Sequence, residues 1–225
     1  MTRDTDGLPA GPGRQSIPMS TTRLLLLGAV RVFQPVHGYL LRRELLSWQV
    51  EDWAHVKPGS IYSGLRTLVS HGLLAEVPGD PVSYRLTPDG ENEFRRLLVR
   101  SLREPDPGDP SRLLAGLCFV TVLSRAEVRE ALHARSLVLE AAASASSATV
   151  RLQRETRIAP ATTAELSLVI GHWLEGERAW VREFCGRLDG GHYRFAGDPG
   201  APDLPVDGVW PPAVLDAPEK GLTAL

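Results

Sequence analysis

Cysteine is scarce in this sequence. Cys118 and Cys185 are the only two among 225 residues, too few for the disulfide framework of a small secreted fold. No apolar run approaches the ~20 residues that a bilayer span demands. The N-terminus, with Asp4, Asp6, Pro9 and Pro12, lacks a secretory apolar core, so a cytoplasmic protein with no membrane partner is expected. None of the six histidines stands at metal-ligand spacing with a cysteine or carboxylate. A Gly-rich phosphate loop and a nucleophile–base constellation are also missing, so an enzyme reading has no residue to rest on, and no metal or cofactor is expected. Lysine is nearly absent: Lys57 and Lys220 stand alone, and the remaining positive charge is arginine, which suits bidentate phosphate contact.

A formal net charge of −2 does not advertise nucleic-acid binding, but its distribution is informative. Residues 20–100 carry ten Lys plus Arg against eight Asp plus Glu, whereas 101–225 carry thirteen against seventeen. The positive excess falls on the N-terminal half. The chain is long enough to bury a core without staples, as one large or two small domains.

Within that half, Ile61, Leu65, Leu68 and Val69 fall at i, i+4, i+7 and i+8, the stripe of a short helix over 58–71. Pro58 suits its first position and Gly72 the left-handed residue that stops it. Ser60, Ser63, Arg66 and Thr67 are left facing outward. Strands 73–77 and 82–86 follow around the turn Pro78-Gly79-Asp80-Pro81, which predicts a hairpin with a four-residue loop. Upstream, Leu41, Leu45 and Trp48 mark a helix over 38–49, so the link 48–56 joins two helices as in a helix-turn-helix. A helix-turn-helix followed by a hairpin predicts a winged helix whose second helix reads DNA.

His37-Gly38-Tyr39 before one helix, the run Pro58 to Tyr62, and Tyr84, Leu86, Thr87 and Gly90 after the wing occur in order on the expected elements. On these residues the chain resembles the PadR family of transcriptional regulators over roughly 22–102, and weakly beyond. The resemblance implies a DNA-facing role for Tyr62, a structural role for His37 and Tyr39, dimerisation through the C-terminal helices and, most commonly, repression. Family wings often carry several cations; here the wing turn holds Asp80 and no base, and Arg85 is the nearest cation.

Residues 1–19 are polar, with Gly and Pro, and read as a disordered extension. Leu24 to Leu27, Val30 and Phe33 form a strongly apolar first helix, in which Gly28 and Ala29 permit close approach of a neighbour. Thr87 and Pro88 cap a helix that ends near Arg103. The prolines of 104–110 suggest a boundary between a winged-helix domain, 20–104, and a helical dimerisation or effector domain, 110–191.

In the second domain a short helix is expected over 113–123. Ser124 with Glu127 makes a capping box for a long helix reaching about 158. Its positions Val128, Leu132, Leu139, Ala143, Ser146 and Val150 form a coiled-coil-like seam. Thr162 with Glu165 makes a second capping box, and Leu166, Ile170, Trp173, Trp180, Phe184 and Leu188 line the next helix, closed by Gly190 and Gly191. Two such seams with one short companion call for a partner subunit. Residues 192–225, rich in Pro and Gly and carrying a charge of −3, read as a disordered acidic tail.

The expected fold is mainly α with a small β-hairpin wing. The candidate DNA-binding residues are Lys57, Gly59, Ser60, Tyr62, Ser63, Arg66, Thr67 and Arg85. Tyr62 is either a phosphate contact near the helix N-terminus or an edge-of-core tyrosine, and Arg66 either holds guanine bidentately or is a solvated arginine. Trp173, Glu177, Trp180 and Phe184 line either an aromatic pocket for a small aromatic effector or a dimer interface. Cys118 and Cys185 are expected to be buried, inert thiols. The function expected is a homodimeric regulator, in the main a repressor, reading an inverted-repeat operator in double-stranded DNA. The alternative is an interaction adaptor or activator with weak DNA binding.

Overall fold

Leu24, Leu25, Leu26, Leu27 and Val30 give α1 (Thr21–Phe33) apolar side chains on every side, and a helix of that kind belongs in the centre of a fold. In the computed structural model, which describes residues 21–156, 160 and 162–199, all five are buried and α1 meets four other helices. Residues 1–19 and 200–225 of the expected extension and tail lie outside the described residues. β1 (Val36–His37) leads into α2 (Gly38–Ser47), where His37 Nδ1 accepts from the Leu40 backbone N–H at 3.2 Å as N-cap.

The link after α2 holds a further short helix, α3 (Val50–Ala54), which apolar spacing over so few residues could not reveal. Gln49 and His55 flank it in the left-handed region (φ 55° and 53°), and this sharp entry and exit bury Val50 and Val56. α4 (Pro58–Ser70) follows, with Ile61, Leu65 and Leu68 buried. β2 (Leu74–Val77) and β3 (Ser83–Leu86) pair antiparallel, with Val77 opposite Ser83, so the wing loop is 78–82, one residue longer than expected. β1 pairs with the other edge of β3, giving the strand order β1-β3-β2. The architecture is a winged helix-turn-helix, mainly α, with a small antiparallel wing.

α5 (Pro88–Arg103) begins as expected: Thr87 Oγ1 accepts from Gly90 N–H at 3.0 Å and donates to the Gly72 carbonyl at 2.7 Å. The prolines of 104–110 do not separate two cores. α6 (Ser111–Leu117) folds back against α1 and α5, and Phe119 fills the slot over Gly28, where a β-carbon would stand 2.5 Å from its ring. One apolar cluster accordingly runs from Leu24 to Phe195. The helix expected over 113–123 ends at Leu117 because Phe119 must turn inward, and a single 3-10 turn (Val120–Val122) completes the segment.

α7 (Arg125–Thr156) starts with the Ser124–Glu127 capping box, in which Ser124 N–H donates to Glu127 Oε2 at 2.8 Å and Glu127 N–H to Ser124 Oγ at 3.3 Å. α8 (Thr163–Asp189) lacks the second box: Thr162 is already helical and its side chain makes no cap bond. The seam of α7 is buried at Val128, Leu132, Leu139, Ala143 and Val150 by α5 and α8 of the same chain, so it needs no partner.

The expected stripe of α8 divides. Phe184 and Leu188 are buried and Trp180 is half-buried, whereas Leu166, Ile170 and Trp173 are exposed. The inward residues follow a heptad of Leu174, Val181 and Leu188, whose continuation through Arg178, Gly171 and Ser167 is not apolar. The tail expectation also shifts. Phe195 is 1% exposed, Ala196 N–H donates to the Thr121 carbonyl at 3.0 Å, and Arg125 pairs with Asp198 at 2.6 Å, so residues 192–199 are strapped to the start of α7.

Candidate nucleic-acid interface

α4 turns its apolar stripe into the core, and its other face is left to water. Lys57, Gly59, Tyr62, Ser63, Arg66 and Thr67 are exposed there and Ser60 is half-buried. The hydroxyls donate backward along the helix: Ser60 to Lys57 O at 2.6 Å, Ser63 to Ser60 O at 3.0 Å, Thr67 to Ser63 O at 3.0 Å. With their protons so used, they present lone pairs outward, able to accept from the amino groups of adenine or cytosine. Among the described residues the Tyr62 hydroxyl and the Arg66 guanidinium have no protein partner.

Gly38 places Tyr62. A β-carbon at Gly38 would stand 3.0 Å from the tyrosine ring, so the bare backbone of α2 is the shelf on which the ring lies. This explains the glycine of the His-Gly-Tyr turn through a contact that crosses the helix-turn-helix. Arg42 follows Gly38 by one turn on that side of α2. Spacing along α2 alone did not single it out, since its relevance depends on where Tyr62 lies.

The charge arrangement is uneven. Within 21–103, Arg23 pairs with Glu93 at 3.1 Å, Arg31 with Glu91 at 2.9 Å, Arg43 with Glu44 at 2.9 Å, Arg96 with Glu93 at 2.8 Å, Arg100 with Glu104 at 2.6 Å, and Arg95 with Glu127. Arg42, Lys57, Arg66, Arg85 and Arg103 form no ion pair among the described residues. Four of these five lie on α2, α4 and its N-cap, and the wing. Arg85 is exposed on β3, and the wing loop presents Asp80 as an exposed acid.

Trp173, Glu177, Trp180 and Phe184 do not converge. Trp173 is 62% exposed. Glu177 turns inward to the buried Arg135, and Trp180 stacks on Phe184 with ring centroids 5.3 Å apart. A cleft of about 290 Å³ lies elsewhere between α7 and α8, with Ser146, Ser147, Gly171, His172 and Glu175 in its lining. Cys118 is exposed rather than buried, at the end of α6, where its Sγ donates to the Leu114 carbonyl; Cys185 is half-buried. Shielding of the sulfur raises both thiol pKa values, with Asp189 adding to the effect at Cys185. Among the described residues no group of His, Cys, Asp and Glu could hold a metal ion, and no helix is long and apolar enough to cross a membrane.

The fold and this face together define a winged helix-turn-helix protein with an appended two-helix arm. Neither a family model nor a curated protein sequence matches the chain. Among solved structures, it is similar to Bacillus subtilis PadR in complex with p-coumaric acid, at 18% identity over 78% of this chain and 99% of that one, with a TM-score of 0.35. Bacillus subtilis PadR in complex with operator DNA is 20% identical over 75% and 99%, with a TM-score of 0.34. A PadR-like transcriptional regulator from Bacillus cereus is 19% identical over 76% and 99%, with a TM-score of 0.29.

Proposed function

We propose that the chain is a homodimeric DNA-binding transcriptional regulator, a repressor that inserts α4 into the major groove at each half of an inverted repeat. The observation that carries this reading is the clustering of unpaired cations. Six of the module's ten arginines are paired with acids of the chain, five of them with the module's own, whereas Arg42, Lys57, Arg66 and Arg85 have no ion-pair partner among the described residues and surround an exposed, hydroxyl-rich helix. Phosphates supply the missing counter-charge, and Arg66 with the α4 hydroxyls reads base edges. Pairing of subunits is supported by Leu166, Val169, Ile170 and Trp173, a stripe at i, i+3, i+4 and i+7 of α8 that one chain leaves exposed. A small aromatic effector bound in the helical region would act by favouring one dimer geometry over another.

A second reading, an interaction adaptor that has kept the winged-helix shape, is supported by the acidic wing tip. Electrophoretic mobility shift on the protein's own promoter region separates the two. At low salt the wild-type chain is expected to bind, Arg66→Ala to weaken binding by about 1–3 kcal/mol, and Tyr62→Phe to weaken it less. Absence of binding to any fragment would leave the adaptor standing, and a shift indifferent to both substitutions would remove α4 from the contact.

A further inference from the structure

Arg135 is the one charged residue that is buried among the described residues, at 2% exposure. Its Nη1 donates to the carbonyls of Ser101 at 3.1 Å, Leu102 at 3.3 Å and Glu104 at 3.0 Å. Its Nε donates to Glu177 Oε1 in an ion pair. These carbonyls belong to the last turn and C-cap of α5, where backbone oxygens lack intrahelical partners and the helix dipole is negative. A side chain of α7 thus caps α5 and is itself held by α8. Burial lowers the guanidinium pKa and Glu177 opposes that shift, keeping a charge in place for the carbonyls.

The level at which this happens matters. α5 and α7 run in the same direction, since Arg95 meets Glu127 and Glu104 meets Arg135. α5 stops at this level, while α7 continues to Thr156, about six further turns. The first half of α8 packs along that extension, where Ser146 Oγ donates to the Ser167 carbonyl at 2.6 Å. The node therefore stands where the winged-helix module ends and the arm begins. Leu98, Leu102, Leu132 and Leu139 also fill the junction, but apolar contacts lack direction and tolerate small rotations. Four hydrogen bonds from one planar guanidinium do not.

We propose that Arg135, held by Glu177, is the positioning residue that sets the angle between the module and the arm, and with it the half-site separation the dimer accepts. The proposal rests on the dimeric DNA-binding reading and adds a determinant of operator spacing to it.

The test uses the full chain. Arg135→Lys keeps the charge but offers one nitrogen that cannot span three carbonyls and Glu177. Glu177→Gln keeps the volume, removes the counter-charge, and serves where the lysine variant does not fold. With Cys118 and Cys185 replaced by serine, spin labels at Ser63→Cys on α4 and Ala145→Cys on α7 report the module-to-arm distance in labelled chains diluted with unlabelled protein.

The variants are expected to broaden or shift that distance, while a control pair at Ser63 and Asn92, inside the module, is unchanged. On synthetic inverted repeats of a fragment selected by the wild type, spacing is varied by single base pairs. The wild type is expected to prefer one spacing by about tenfold or more and the variants to lose that preference, with half-site affinity kept. Unchanged distances with an unchanged spacing preference overturn the proposal. A wild-type chain that binds no DNA instead overturns the regulator reading, and the distance measurement still decides whether the node sets the angle.

Discussion

A β-carbon at Gly90 would stand 2.0 Å from the carbonyl oxygen of Leu73, a backbone atom that cannot retreat without dragging β2 out of the wing. The helix cap crowds the same place, because Thr87 N–H donates to that carbonyl at 3.1 Å. Gly90→Ala is accordingly expected to cost about 3 kcal/mol of stability in urea denaturation. Gly64 differs, since its β-carbon would meet only the tip of the Leu26 side chain, which can swing aside. The outward residues of α4 could be read from the apolar period of that helix, and their exposure agrees with it. Arg42 could not, because what matters about it is Gly38 lying against Tyr62 across the turn. Arg135 was equally hidden: an arginine among alanines and leucines reads as solvated until three carbonyls from another helix are seen to surround it.

Among the elements, the wing and the start of α7 each yield a measurement. Asp80 at the exposed wing tip repels any phosphate near it, so Asp80→Lys is expected to tighten operator binding and to steepen its log–log salt dependence by about one unit, read from a salt titration. At the start of α7, hydrogen bonds from the Ser124 hydroxyl and N–H, with Arg95 nearby, hold the Glu127 carboxyl below its ordinary range. Stability linked to such a lowered group is fully present above the unfolded value near ~4.3 and is lost as pH falls through the lowered folded value. Thermal melts from pH 6 downward are therefore expected to fall less steeply for Glu127→Gln than for the wild type. Helix termini marked by Thr87-Pro88, Lys57-Pro58 and Ser124 were legible because capping chemistry is local. The inward face of α8 was not, because Ser167, Gly171 and Arg178 occupy heptad positions where an apolar residue is expected, and the exposed Leu166, Ile170 and Trp173 suggest a different stripe.

For the molecule as a whole, the continuity of the core from α1 through α6 to Phe195 was invisible in a segment with three prolines, since return of the chain to an earlier helix is a long-range event. The proposed pairing of subunits is the reading most open to test. Trp173→Asp places a charge in the middle of the exposed α8 stripe and touches none of the buried seam. It is expected to leave helicity intact, to give a lone chain in sedimentation, and to reduce binding to an inverted repeat far more than to a single half-site. The overhang of α7 beyond α5 has a mechanical consequence. Some 21 residues at 1.5 Å each make a lever of ~32 Å with its fulcrum beside Arg135. A swing of about six degrees at the fulcrum carries the far tip ~3.4 Å, the rise of one step on the DNA ladder. Slight repacking at the pivot is thus geared up to a full rung.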